Sequence, residues 1–97
     1  MYKITFTDRI ARKLKDDAHQ VDASEVKECF DNVIGNYLYD LRERHQTIPR
    51  TQWFVAETNA GRELKICFLD IVKSEEYRVK TAYDADDKAK EIYKNNS

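Results

Sequence analysis

Residues 52–72 read QWFVAETNAGRELKICFLDIV. Gln52 to Thr58 is rich in aromatic and β-prone residues, and Glu63 to Val72 resumes that character after the turn cluster Asn59, Ala60 and Gly61. Two such runs around a glycine-bearing turn predict a β-hairpin. On the second arm Leu64, Ile66 and Phe68 share one face and suit a core, while Lys65 and Cys67 point the other way. On the first arm Trp53 and Phe54 are adjacent, so one enters the core and the other faces the opposite side.

Working outward, a turn near Lys73–Glu76 leads into EYRVKTAY at 76–83, a further strand. There Val79, Thr81 and Tyr83 share one parity, opposite Arg78, Lys80 and Ala82. Asp84 or Asp86 then starts a short helix with Ala85, Ala89, Ile92 and Tyr93 on its inner side. Upstream, NYLYDLRE at 36–43 has a period of two: Tyr37, Tyr39 and Leu41 are expected in the core, with Leu38, Asp40 and Arg42 on the other face. Before it the period is helical. Asp22 with Glu25 three residues later forms a capping box, Val26, Cys29, Phe30 and Val33 make an apolar stripe, and Gly35 is a natural stop. An earlier helix carries Ile10, Ala11 and Leu14 inward, capped by Thr7 or Asp8. KITF at 3–6 alternates as a short strand.

The order is β-α-α-β-β-β-β-α, which predicts an α+β fold: an antiparallel sheet with the two N-terminal helices on one face. Ninety-seven residues suit a single domain over 1–97. A 41% hydrophobic content argues against disorder despite 36% charged residues. The formal charge of −1 advertises neither nucleic acid nor an anionic membrane as partner. No apolar run approaches the ~20 residues of a membrane span, and the N-terminus lacks a signal-peptide core. The expected protein is soluble and cytoplasmic. Cys29 and Cys67 lie far apart with no CxxC pair, so reduced buried thiols are expected rather than a zinc site or disulfide framework.

Strand alternation asks what the uncovered sheet face presents. Cross-strand pairing is able to gather Arg42, Lys65, Lys80 and also Arg78 there, either as a solvated face with charge pairs or as a functional cationic surface. Trp53 reads as packing or as a stacking platform for a base. His45 reads as a surface or structural histidine, or as a group that exchanges protons near neutral pH. His19 reads as a helix-boundary residue bonded locally. Tyr83, beside the Lys80 strand, is the better functional tyrosine, and Tyr93 a core anchor. The two histidines share no HxxH or HExxH spacing, and Asp84, Asp86 and Asp87 lack the glycine and distal glutamate of a calcium loop, so no metal is expected. P-loop, GxGxxG and GxSxG motifs are absent, and no cofactor is expected.

The element order and several short motifs resemble the RelE/ParE superfamily, most of all the small BrnT-type toxins of bacterial toxin–antitoxin pairs. The motifs are His19-Gln-Val-Asp22-Ala-Ser-Glu25, then Asp40-Leu-Arg42-Glu43, then Arg78-Val-Lys80-Thr-Ala-Tyr83 and Glu91-Ile-Tyr93. The chain also resembles short bacterial proteins with the pattern D-x-R-E-x-H…P-x-T-x-W-F…G-R-x-L-K…K-T-A-Y, some labelled dinitrogen-reductase ADP-ribosyl hydrolases. The hydrolases of that name resemble large helical domains with paired metal-binding aspartates, for which this chain has no room.

The toxin resemblance implies metal-independent RNA cleavage and an inhibiting antitoxin protein as partner. In that chemistry the ribose 2′-OH attacks the adjacent phosphorus and the 5′-oxygen leaves. It needs a proton acceptor, positive charge at the phosphate and a proton donor. The implied set is His45 or Glu43 as base, Arg42, Lys65 and Lys80 on the phosphate, and Tyr83 or protonated His45 as donor. Arg50, Trp53 and Arg78 are candidate RNA contacts. The neutral charge and abundant surface acids suggest the alternative of a non-catalytic protein-interaction module on the same fold.

Overall fold

The computed structural model describes residues 2–42 and 48–97. Its elements run β1 (Lys3–Thr5), α1 (Asp8–Leu14), α2 (Ala23–Asn32), β2 (Leu38–Tyr39), β3 (Thr51–Glu57), β4 (Glu63–Ile71), β5 (Glu76–Asp84) and α3 (Asp87–Asn96). The fold is α+β in the expected order. Five strands form one sheet in the order β1-β5-β4-β3-β2. All pairings are antiparallel except that of β1, which runs parallel to β5 with Lys3 opposite Glu76.

Local chemistry accounts for the element ends. Thr7 caps α1, its side chain accepting from Ile10 N at 3.2 Å. Asp22 N–H donates to Glu25 Oε1 at 3.1 Å, as a capping box requires. The β3–β4 hairpin turns through Gly61 at φ +88°, a conformation that costs glycine nothing. A 3₁₀ turn at Val72–Ser74 and a left-handed Glu75 link β4 to β5. Gly35 is not the helix stop, since α2 already ends at Asn32. Its hydrogen faces α3: a Cβ there would lie 2.7 Å from the Tyr93 hydroxyl and 2.6 Å from Ser97 Oγ.

The two helices cover the face bearing Phe54, Ala56, Leu64, Ile66, Phe68 and Ala82. Phe30 of α2 lies 4.8 Å from Phe54, 5.4 Å from Phe68 and 5.5 Å from Tyr77, ring centre to ring centre. Phe54 and Phe68 are wholly buried, each contributing roughly 1.5–3 kcal/mol by leaving water. Tyr37 joins this aromatic cluster as expected.

The other two residues of that parity do not. Tyr39 is 52% and Leu41 75% exposed. The physical reason is the length of β2, only two residues, paired Leu38 to Trp53 and Tyr39 to Gln52 at the sheet margin. At that margin the two side chains stay open to solvent.

The second face is also only partly open. By alternation Trp53 faces away from Phe54, and its ring meets Tyr93 of α3 at 5.8 Å. Thus α3 lies over the β3 side of this face, with Ala89 and Tyr93 buried and Ile92 partly exposed. No helix among the described residues is long and apolar enough to cross a membrane.

Candidate functional site on the second sheet face

A β-bulge sets the geometry of this face. Cys67 pairs with Thr81 and Phe68 with Val79, so Lys80 is the extra residue between two registered pairs. Parity counted back from Ala82 in the core would point Lys80 at the helices. The bulge instead brings its ammonium to Thr51 Oγ1 at 3.1 Å, on the second face. Thr81 and Tyr83 share that face through their pairing with Cys67 and Lys65.

The start of β3 holds the next group in place. Asp40 N–H donates to Thr51 O at 2.8 Å, and the Asp40 side chain is buried. Its carboxylate accepts from Arg42 N at 3.1 Å, Nε at 3.0 Å and Nη2 at 2.7 Å. This fork fixes a guanidinium that is itself half exposed. The Asp40 hydrogen bonds push the Arg42 pKa further up, and its charge reaches Cys67 and Tyr83.

Lys65 completes the cluster. Its Nζ sits 4.6 Å from the centre of the Trp53 ring and 5.9 Å from that of Tyr83, cation–π distances. At the centre is the Cys67 thiol. Burial raises its pKa; Lys65, Arg42 and Lys80 pull it down and Asp40 pushes it up. The contacts tie the same groups together: Lys80 bonds Thr51, Thr51 O accepts from Asp40, Asp40 holds Arg42, and Lys65 lies over Trp53, the strand partner of Cys67. Cys67 is a buried thiol beneath this ring of charge, and Cys29, also unbridged, sits in the helix layer with Sγ 3.5 Å from Ala56 O.

Of the residues singled out from sequence, Arg42, Lys65, Lys80 and Tyr83 come together. Trp53 lies under them but is only 9% exposed, between Lys65 and Tyr93, so it offers no open platform for a base in this conformation. Arg50 stands at the rim, its guanidinium 4.6 Å from the Tyr39 ring centre. Arg78 is turned to Glu76, with Nε 2.9 Å and Nη2 2.8 Å from Oε1, at the β1 side of the sheet. Glu43 and His45 lie outside the described residues.

Sequence reasoning missed Thr51 as the partner of Lys80, and one further neighbour. His19 is bonded locally as expected, its Nδ1 2.7 Å from Asp16 Oδ1, but its ring also meets Tyr83 edge-on at 6.4 Å. The bond to His19 is the main reason the Asp16 carboxyl lies below its ordinary range. The nearest sequence signal was the Asp-x-x-His spacing. What carries this loop to β5 is Arg62, which donates to His19 O at 3.2 Å, Gln20 O at 2.8 Å, Glu25 Oε1 at 3.1 Å and Asp84 Oδ1 at 2.6 Å.

Among the described residues, two hollows that border α3 stand out. One is a seam between α2 and α3 crossed by the Lys90–Glu63 ion pair at 3.2 Å. The other is a groove beside the cationic cluster, lined by Leu38, Tyr39, Leu41, Arg42, Trp53 and Ile92, with Asn96 at its end. No group of three His, Cys, Asp or Glu side chains among the described residues is placed to hold a metal ion. Chemically the cluster suits an anion: a forked guanidinium and two ammonium groups converge, with a tyrosine hydroxyl on the same face. Comparison of the chain with protein-family models, with curated proteins and with solved structures finds no match in any of the three.

Proposed function

We propose that the protein is a toxin-like endoribonuclease that cleaves RNA without a metal ion and is held inactive by an antitoxin protein. The observation carrying this reading is the grouping of three cations on the second sheet face: Lys80 bonds Thr51, whose carbonyl accepts from the Asp40 that holds Arg42, and Lys65 Nζ lies 5.9 Å from the Tyr83 ring centre. The α+β order and the motifs resembling BrnT-type toxins support it. In this mechanism the N–H groups of Arg42 that Asp40 does not hold, together with the two ammonium groups, bind the scissile phosphate and stabilise the charge that grows on it. Tyr83 protonates the leaving 5′-oxygen, and His45 or Glu43 takes the proton of the attacking 2′-OH.

The test is incubation of purified protein with single-stranded RNA in the presence of a chelator. Cleavage is expected, with Lys80→Ala and Lys65→Ala each slower by about 10²–10³, the usual loss for one such group. His45→Ala is expected to fall as well. Intact RNA after prolonged incubation with folded protein removes the catalytic reading.

One observation favours a second reading, a protein-interaction module. Tyr39 and Leu41 are exposed beside an apolar groove at the β2 margin, a composition suited to a protein contact. That reading expects no turnover and a partner whose binding is lost on charge reversal of Arg42 and Arg50. Unchanged binding in those variants would remove the reason for choosing this surface.

A further inference from the structure

We infer that the groove beside α3 is a nucleobase subsite, receiving the base attached to the phosphate held by Arg42, Lys65 and Lys80. The inference rests in part on the proposed function, because it takes the cationic cluster as a phosphate site. The groove and the cluster adjoin: Arg42 and Trp53 line the groove, Lys65 Nζ lies 4.6 Å from the Trp53 ring centre, and Lys80 is linked through Thr51 to Asp40, the partner of Arg42. The groove measures about 660 Å³, within the roughly 300–1,000 Å³ of small-molecule sites. Its lining combines the aromatic Tyr39 and Trp53 with the aliphatic Leu38, Leu41 and Ile92.

The charge arrangement selects the occupant. Arg42 stands where groove and cluster meet, and the Arg50 guanidinium lies against Tyr39 on the rim. An apolar peptide segment would bring no anion to these two guanidiniums, whereas a nucleotide joins a flat apolar base to an anion at short range. Asn96 at the end of the groove donates from Nδ2 to Ile92 O at 2.8 Å, which fixes the amide and leaves its oxygen as an acceptor for a base N–H. Leu41 and Ile92 are 75% and 42% exposed, so the groove wall is open to such a ligand.

The experiment is an NMR titration of the full chain at low ionic strength with inorganic phosphate, ribose 5-phosphate and adenosine 3′-monophosphate. The nucleotide is expected to bind at least about fivefold tighter than ribose 5-phosphate, the lower end of what one stacked base contributes. In Leu41→Ser/Ile92→Ser that advantage should vanish, with the affinity for inorganic phosphate unchanged. Ile34→Ser, fully exposed outside the groove, should keep it. If the double variant loses its dispersed spectrum, Ile92→Ser alone carries the comparison and should lose most of the advantage. Equal affinity for ribose 5-phosphate and the nucleotide overturns the base subsite while leaving the anion cluster standing. An advantage that survives the substitutions overturns its location. Failure of all three ligands to bind overturns the phosphate cluster itself, and the proposed function with it.

Discussion

Lys80 donates from Nζ to Thr51 Oγ1 at 3.1 Å, although strict alternation counted from Ala82 sets these two residues on opposite faces of the sheet. The bulge at Lys80 is what lets them meet. Thr51 is almost fully buried, so the bond is shielded on one side. Thr51→Val keeps the shape and removes the acceptor. It is expected to cost on the order of 1 kcal/mol, read from urea denaturation, and to loosen Lys80. RNA cleavage should fall less than in Lys80→Ala. A variant as stable as the parent would mean that the bond contributes nothing to the fold.

Arg62 joins three separate segments through one guanidinium, and lysine has no fork with which to replace it. Arg62→Gln is expected to destabilise by about 2 kcal/mol. It should also alter the acid limb of stability. The Arg62 hydrogen bond holds the Asp84 carboxyl below its ordinary range. That stabilisation is present above the unfolded carboxylate value and is lost as pH falls through the folded one. Denaturation measured from pH 6 down to 2 should therefore show a shallower decline for Arg62→Gln than for the parent.

Alkaline pH acts through the helix layer. Burial pushes the Cys29 thiol from 9.0 up to about 12. The folded chain thus keeps its proton where the unfolded chain releases it. The contribution of this one group is complete below about pH 9 and falls above it, by about 1.4 kcal/mol per pH unit until its folded value is reached. Cys29→Ala removes the group. Its deficit against the parent should shrink between pH 8 and 11, and a deficit constant with pH would contradict the burial argument.

Gly35 allows the end of α3 to close on the chain. In Gly35→Ala the new methyl meets the Tyr93 hydroxyl, which is itself fixed by donating to Asn36 O at 2.9 Å. A loss of about 1–3 kcal/mol is expected, the usual cost of overpacking. Because Tyr93 abuts Trp53, the emission of this sole tryptophan should shift as well.

The parts legible in the sequence are those fixed by near neighbours along the chain. The hairpin announced itself by Asn59–Gly61, the α2 start by Asp22 and Glu25, and the core by Leu64, Ile66 and Phe68. The bulge was not legible, because an extra residue leaves no mark in the alternation of a strand already rich in mixed residues. Grouping Lys80 on the open face was right, but alternation gives it the wrong companions: Ala82 is in the core, while Thr81 and Tyr83 share the face of Lys80. Tyr39 and Leu41 misled for another reason. Their period is that of a half-buried strand, yet burial needs a covering layer, and the position of the helices is a tertiary fact. The approach of His19 to Tyr83 likewise depends on Arg62, from a third segment.

Strand β1 has a consequence for how the molecule assembles. Among the described residues, Lys3–Thr5 has its one sheet neighbour in Glu76–Arg78, far downstream. On a ribosome, β1 must wait until β5 has been made. The antiparallel core of β3, β4 and β5 closes short loops and is able to form first, whereas docking β1 closes a loop of most of the chain. The free edge of β5 is exposed during that interval, which makes it the place where a nascent chain is most open to pairing with another copy of itself.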